Sequence, residues 1–210
     1  MSAKGYISGW TTALGRSATA SKAVRLLILV LAVLAFAYQE LAVAADAPDV
    51  SETQVKAAFL INFPKYVDWP TDALAESNSP IVVAVFGETS LDGDLKKMLK
   101  GKTINGHPLV FKRVSTEEEA INGCHILFIG EESARRASTI IGKLDGTSIL
   151  TVGDSDDFLD SGGVIRLARR DRKIRLEISL TAANRAHLKL SSKLLGVADV
   201  VRDGPRGGGG

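Results

Sequence analysis

The sequence predicts an α/β domain: a mostly parallel, Rossmann-like sheet flanked by helices, with an antiparallel hairpin at its edge. Residues 81–86 form an unbroken apolar run ended by Gly87, and the runs 125–129 and 148–152 stop at Gly130 and Gly153, as strands buried on both faces do. Amphipathic stretches alternate with these runs, the order that a parallel sheet with crossover helices requires. At residues 174–180 the pattern changes: Ile174, Leu176, Ile178 and Leu180 alternate with Arg175, Glu177 and Ser179, which describes a strand with one wet face.

The first element expected is a helix over residues 51–67. Val55, Ala58, Phe59, Asn62, Phe63 and Tyr66 recur at i, i+3, i+4, i+7, i+8 and i+11, with Ser51 as N-cap and Glu52 in the first turn. Pro64 removes a backbone donor and pushes Phe63 out of the helical region, so a kink or early end is expected near Phe63. A strand at 81–86 and a helix at 91–99 follow, with Lys96, Lys97 and Lys100 near the helix C-terminus, where its dipole favours cations. Next come a strand at 108–114, a helical turn at 117–121, a strand at 125–129, a helix at 133–144 and a strand at 148–152. Residues 164–168 and 174–180 flank the basic run 169–173 as the hairpin. Thr181 caps a turn through Arg185, and Ser191 or Ser192 caps a final helix through Val201.

The ends of the chain carry different signals. Residues 1–25 hold Lys4, Arg16, Lys22 and Arg25 without an acid, and 26–38 are uncharged and apolar, too short a run to span a bilayer. Ala42-Val43-Ala44 supplies a cleavage pattern, so residues 1–44 read as a signal peptide, 45–203 as one domain exported to the periplasm, and 204–210 as a flexible glycine-rich tail. The whole chain has 26 Lys+Arg against 24 Asp+Glu, but 1–44 hold four basic residues and one acid, leaving 22 against 23. That balance argues against a nucleic-acid partner, which requires a basic face. The single cysteine, Cys124, excludes an internal disulfide.

No catalytic, cofactor or metal constellation stands out. The loops after the predicted strands, at Gly87, Gly130 and Gly153-Asp154, are candidate ligand loops by position, yet each pairs one glycine with carboxylates that repel phosphate. The acids Asp154, Asp156, Asp157 and Asp160 miss the calcium-loop template, with Leu159 at its sixth position and Ile165 at its twelfth. Cys124 and His125 point to opposite faces of a strand, and the three histidines have no metal-ligand spacing. Arg166, Arg169, Arg170, Arg172, Lys173 and Arg175 form the densest charge cluster; it reads either as a protected edge or as a dock for an acidic partner or anionic lipid, with Arg166 on the polar strand face and Arg170 and Arg172 at the turn. Phe59, Phe63, Tyr66 and Trp69 read either as core of the first helix or as partner anchors.

Several segments together resemble the YfiR family of small periplasmic proteins. They are Gln54-Val55-Lys56-Ala57-Ala58-Phe59-Leu60 with Asn62-Phe63 and Lys65-Tyr66-Val67-Asp68-Trp69-Pro70, Gly101-Lys102 with Ile104-Asn105-Gly106, Cys124-His125-Ile126-Leu127-Phe128-Ile129, Ile149-Leu150-Thr151-Val152-Gly153-Asp154, Gly162-Gly163 on to Glu177-Ile178, and Ser191-Ser192-Lys193-Leu194-Leu195. The resemblance implies a non-enzymatic regulator, often dimeric, that binds the periplasmic part of an inner-membrane diguanylate cyclase or sensor protein and holds it inactive, lowering cyclic-di-GMP and biofilm formation. A periplasmic small-molecule-binding protein is the alternative reading. With Cys124 alone, the disulfide-based redox response of some relatives does not carry over. Pro64 and His187 depart from the family pattern.

Overall fold

The computed structural model describes residues 51–74 and 78–201; the signal peptide expected at 1–44 and the tail expected at 204–210 lie outside the described residues. Helix α1 (Glu52–Asn62) is capped by the Ser51 hydroxyl, which accepts from the Gln54 amide. Pro64 ends the α-helix early, but Phe63 keeps helical backbone angles, φ −51° and ψ −38°, rather than leaving the helical region. The α-helix stops at Asn62, and a 3-10 turn (Phe63–Lys65) leads into strand β1 (Val67–Asp68). Then come β2 (Ile81–Phe86), α2 (Asp92–Leu99), β3 (Thr103–Ile104), β4 (His107–Val114), α3 (Glu117–Ile121), β5 (Ile126–Ile129), α4 (Ala134–Lys143) and β6 (Leu150–Gly153). The hairpin β7 (Ile165–Arg170) and β8 (Lys173–Ser179) is followed by α5 (Leu180–Arg185), β9 (Lys189–Leu190), α6 (Ser192–Leu195) and β10 (Ala198–Val201).

Among the described residues, eight strands form one sheet in the order β3-β4-β2-β5-β6-β7-β8-β10, while β1 and β9 pair antiparallel in a separate ribbon. The five strands from β4 to β7 in that order are mutually parallel. Their residues alternate between two cores. Ile81, Val83 and Val85 of β2, with Ile126 and Phe128 of β5, share one core with Leu60 and Ile61 of α1 and Leu91 and Leu95 beside and within α2. Ala84, Phe86, Leu127 and Ile129 belong to the other, with Ala120 of α3 and Ala137 and Ile140 of α4. Covering both faces is the reason these strands read as continuous apolar runs.

The C-terminal side differs in detail from expectation. The β7–β8 hairpin is present, with Arg166 opposite Glu177, but β10 adds one strand outside it, pairing parallel with β8 so that Val200 lies beside Ile178. The final helix expected through Val201 ends at Leu195, because Gly196 caps it and the valine-rich Ala198-Asp199-Val200-Val201 pairs as a strand. The cap of α5 is Ser179 rather than Thr181: its hydroxyl accepts from the Ala182 amide.

His125, half-buried just before β5, joins the bottom of the sheet to the preceding loop. Its Nδ1 accepts from the Val82 amide at 3.1 Å, leaving the neutral ring's proton on Nε2, which donates to the Ala73 carbonyl at 3.1 Å. Burial favours the neutral ring and nearby His107 adds to this, so the pKa lies below the ordinary histidine value although the Ala73 hydrogen bond pulls the other way. The unfolded chain therefore takes the proton more readily. Stability from this group is complete above about pH 6.5 and falls as the pH drops below it. Urea denaturation at about pH 7.5 and about pH 5.5, a window above ordinary carboxylate titration, is expected to show a lower midpoint at the acidic pH, with a smaller difference in His125→Gln. Equal midpoints in the wild type would contradict this.

Candidate functional site

Helix α1 carries apolar residues on two sides. Ala57, Leu60 and Ile61, at i, i+3 and i+4, are buried against the sheet, and Phe63 just beyond them is 1% exposed. The stripe that the periodicity singled out lies elsewhere on the helix: Val55, Ala58, Phe59, Asn62 and Tyr66 are half-buried and line a groove of about 1350 Å³. Phe59 stacks on Phe63, ring centroids 6.2 Å apart, so the groove floor is continuous with the core. One wall is Lys97 and Met98 of α2 with Lys100, Lys102 and Thr103 after it; the other is Lys193 and Leu194 of α6 with Val197, which is 72% exposed.

The rim is strongly basic. Five lysines line the groove, at 65, 97, 100, 102 and 193, against one carboxylate, Asp94, which accepts from the Thr53 hydroxyl. Lys65 donates to the Asn62 side chain at 2.7 Å. Lys97, Lys100, Lys102 and Lys193 are exposed and have no ion-pair partner among the described residues.

The first half of α1 is fixed by charge. Lys56 reaches both Glu52, one turn back, and Asp154 at the C-terminal end of β6, each at 2.7 Å. Burial opposes the ammonium, but the hydrogen bonds to Asp154 and Glu52 outweigh it and hold the Lys56 pKa above its ordinary value. Lys56 in turn donates a hydrogen bond that lowers the Glu52 pKa, assisted by Arg169, which pairs with Glu52 at 3.1 Å. These pairs set the height and rotation of α1 on the sheet, and thereby the direction in which Phe59 points.

The four aromatic candidates separate. Phe59 and Tyr66 line the groove, Phe63 is core with its edge in the floor, and Trp69 lies apart, edge-on to His125 at 6.4 Å with its Nε1 buried and unpartnered. The arginines separate too. Arg166, expected on the polar face, is 7% exposed and paired with Glu177 of β8 at 2.9 Å and with Asp156 of the loop between β6 and β7. Arg170 pairs with Glu177 at 3.2 Å. Arg172 sits at the hairpin tip, where Asp171 and Arg172 have φ of 47° and 61°, the left-handed pair of a type I′ turn.

The loop candidates do not build one ligand site. The β2–β5 boundary is the topological switch point, and the loops at Gly87 and Gly130 meet there: a Cβ on Gly130 would lie 3.0 Å from Thr89 and 2.5 Å from the Glu132 carboxylate. Gly153 serves packing. The Phe158 ring is clamped between Gly153 and Gly163, where an added Cβ would come within 2.2 Å of it on either side. Asp154 is committed to Lys56. Neither the groove nor the smaller cavities beside α4 and His125 include Gly87, Gly130, Gly153 or Asp154.

Nucleophilic chemistry finds no footing at Cys124. Burial pushes its thiol up to about 12, and the Sγ donates to the Ala120 carbonyl. Among the described residues no three His, Cys, Asp or Glu side chains cluster to hold a metal ion, and no helix is long and apolar enough to cross a membrane. The groove lysines escaped the sequence reading because Lys97 and Lys100 had a sufficient explanation in the helix dipole, and Lys193 is distant in sequence. One signal was present: Ala57, Leu60 and Ile61 form a second apolar stripe on the opposite side of the helix from the first, more than one helix face needs.

A family model described as YfiR/HmsC-like matches residues 53–199. No curated protein matches the chain. Among solved structures, a conserved domain protein from Vibrio cholerae O1 biovar eltor aligns with TM-score 0.49 and 12% identity over 72% of this chain and 60% of that one. An ABC domain in complex with L-Trp from Streptococcus pneumonia aligns with TM-score 0.43 and 8% identity over 58% and 55%. The chain thus spans less than two thirds of either structure's own length.

Two substitutions check these assignments. Gly153→Ala is expected to destabilise by about 1–3 kcal/mol through collision with Phe158, read as a lower urea midpoint; an unchanged midpoint would contradict the clamp. Arg172→Gly removes a side chain from a left-handed position and should stabilise by up to about 1 kcal/mol, whereas a loss would mean that the Arg172 side chain supports the fold.

Proposed function

Because the chain belongs to the YfiR/HmsC-like family, we propose that it is a periplasmic regulator that binds an inner-membrane diguanylate cyclase and holds it inactive, lowering cyclic-di-GMP and restraining biofilm formation. The observation that carries this reading is the groove along α1: an apolar floor built on Phe59, open to solvent, and rimmed by five lysines, four of them without an ion-pair partner among the described residues. Aromatic and aliphatic side chains in a concave, partly desolvated site surrounded by charge make a protein-docking surface. The basic arm and uncharged run of residues 1–44 support export, which brings the domain to a membrane protein's outer face.

A binding role rather than catalysis accords with the side chains. Both ring nitrogens of His125 are used in holding the fold, His107 Nδ1 lies 2.9 Å from the Ser79 carbonyl, and Cys124 is a buried thiol. A chain with one cysteine, buried at Cys124, forms no internal disulfide, so no disulfide-based redox response is proposed for it. Deleting the gene should raise intracellular cyclic-di-GMP and surface attachment, and restoring the wild-type chain should reverse both. Mass-spectrometric quantification of the nucleotide checks this, and a level unchanged by deletion would overturn the regulatory reading.

A further inference from the structure

We infer that the groove seats a short amphipathic helix of the partner protein, two to three turns long, with its apolar side on Phe59, Met98 and Val197 and its carboxylates against Lys97, Lys100 and Lys193. The inference rests on the regulatory reading and names the chemistry of the partner's contact. Size is the first argument. A helix with its side chains is about 10–12 Å across, so a groove of about 1350 Å³ holds about 12–17 Å of it. The floor is the second. An extended peptide would draw its hydrogen bonds from a free sheet edge, whereas this floor is the side of a helix whose backbone groups are already paired, so the contact is made by side chains at helical spacing.

Charge is the third argument. Four lysines without an ion-pair partner among the described residues stand on both walls, and the one acid among the described residues that lines the groove, Asp94, is engaged with Thr53. An incoming helix with acids along both flanks of its apolar stripe would neutralise them, while a basic helix would be repelled. Concavity decides between a protein helix and an anionic bilayer. Phe59 lies on the floor between two walls, where a flat membrane surface does not reach it.

The test is complementation of the deletion strain with full-length variants, read as cyclic-di-GMP. Lys97→Glu, Lys100→Glu and Lys193→Glu combined in one chain, all at exposed positions, should weaken repression roughly tenfold or more, as should Phe59→Asp, with the triple variant melting like the wild type. Lys96→Glu, on the same helix but outside the groove, should repress normally. Suppressors of the triple variant should replace Asp or Glu by Lys or Arg in one amphipathic periplasmic segment of the cyclase. Full repression by both groove variants would overturn the groove while leaving the regulatory reading standing; an unchanged nucleotide level on deletion alone would remove both. Binding of the wild type, but not the triple variant, to phosphatidylglycerol vesicles would assign the groove to lipid. Loss of a wild-type dimer in the triple variant on size-exclusion chromatography would assign it to a second copy of this chain. Either result overturns the helix.

Discussion

Helix α1 has two apolar stripes, and the sheet lies on only one side of it. Ala57, Leu60 and Ile61 are covered by β-strand side chains, while Val55, Ala58 and Phe59 look into an open groove. A helix apolar on all sides is ordinarily buried on all sides. Rotating α1 to bury the second stripe would expose the first and tear Lys56 from Asp154, an ion pair whose side chains are only 13% and 14% exposed. Removing one partner from such a pair leaves a poorly solvated charge behind, so the pair holds the helix at one rotation and the uncovered stripe becomes a permanent feature of the surface.

The rest of the molecule is arranged around that constraint. Four of the parallel strands supply a rigid, doubly covered support, and β6 ends beside α1 so that Asp154 can reach Lys56. The loop after β6 tucks Phe158 between two glycines and pairs Asp156 with Arg166, while Asp154 is held by Lys56. At the switch point between β2 and β5, where α/β folds often hold nucleotides, the loops touch each other and carry Glu88, Glu131 and Glu132. The open groove lies on the α1 side of the sheet, between α2 and α6.

Patterns with a short period were legible in the sequence. The strands from 81–86 to 148–152, the hairpin and the Pro64 break all appear where residue spacing placed them, since burial on two faces, on one face, or a missing backbone donor each leaves a local trace. What depends on distant partners left less trace. Arg166 read as surface charge because its partners, Asp156 and Glu177, come from other parts of the chain, and β10 read as the end of a helix because its partner β8 lies some twenty residues earlier. The groove gathers Phe59, Met98 and Lys193 from three parts of the chain, and only the excess of apolar residues on α1 announced it.

Amide hydrogen exchange on the chain, alone and mixed with the detergent-solubilised cyclase proposed as its partner, reports most directly whether the open side of α1 is the contact surface. Binding there should slow exchange in α1, the end of α2 and the α6–β10 junction while leaving α3 and α4, on the opposite face of the sheet, unchanged. Protection confined to α3 and α4 or to the β7–β8 tip, with α1 exchanging as in the free protein, would contradict it.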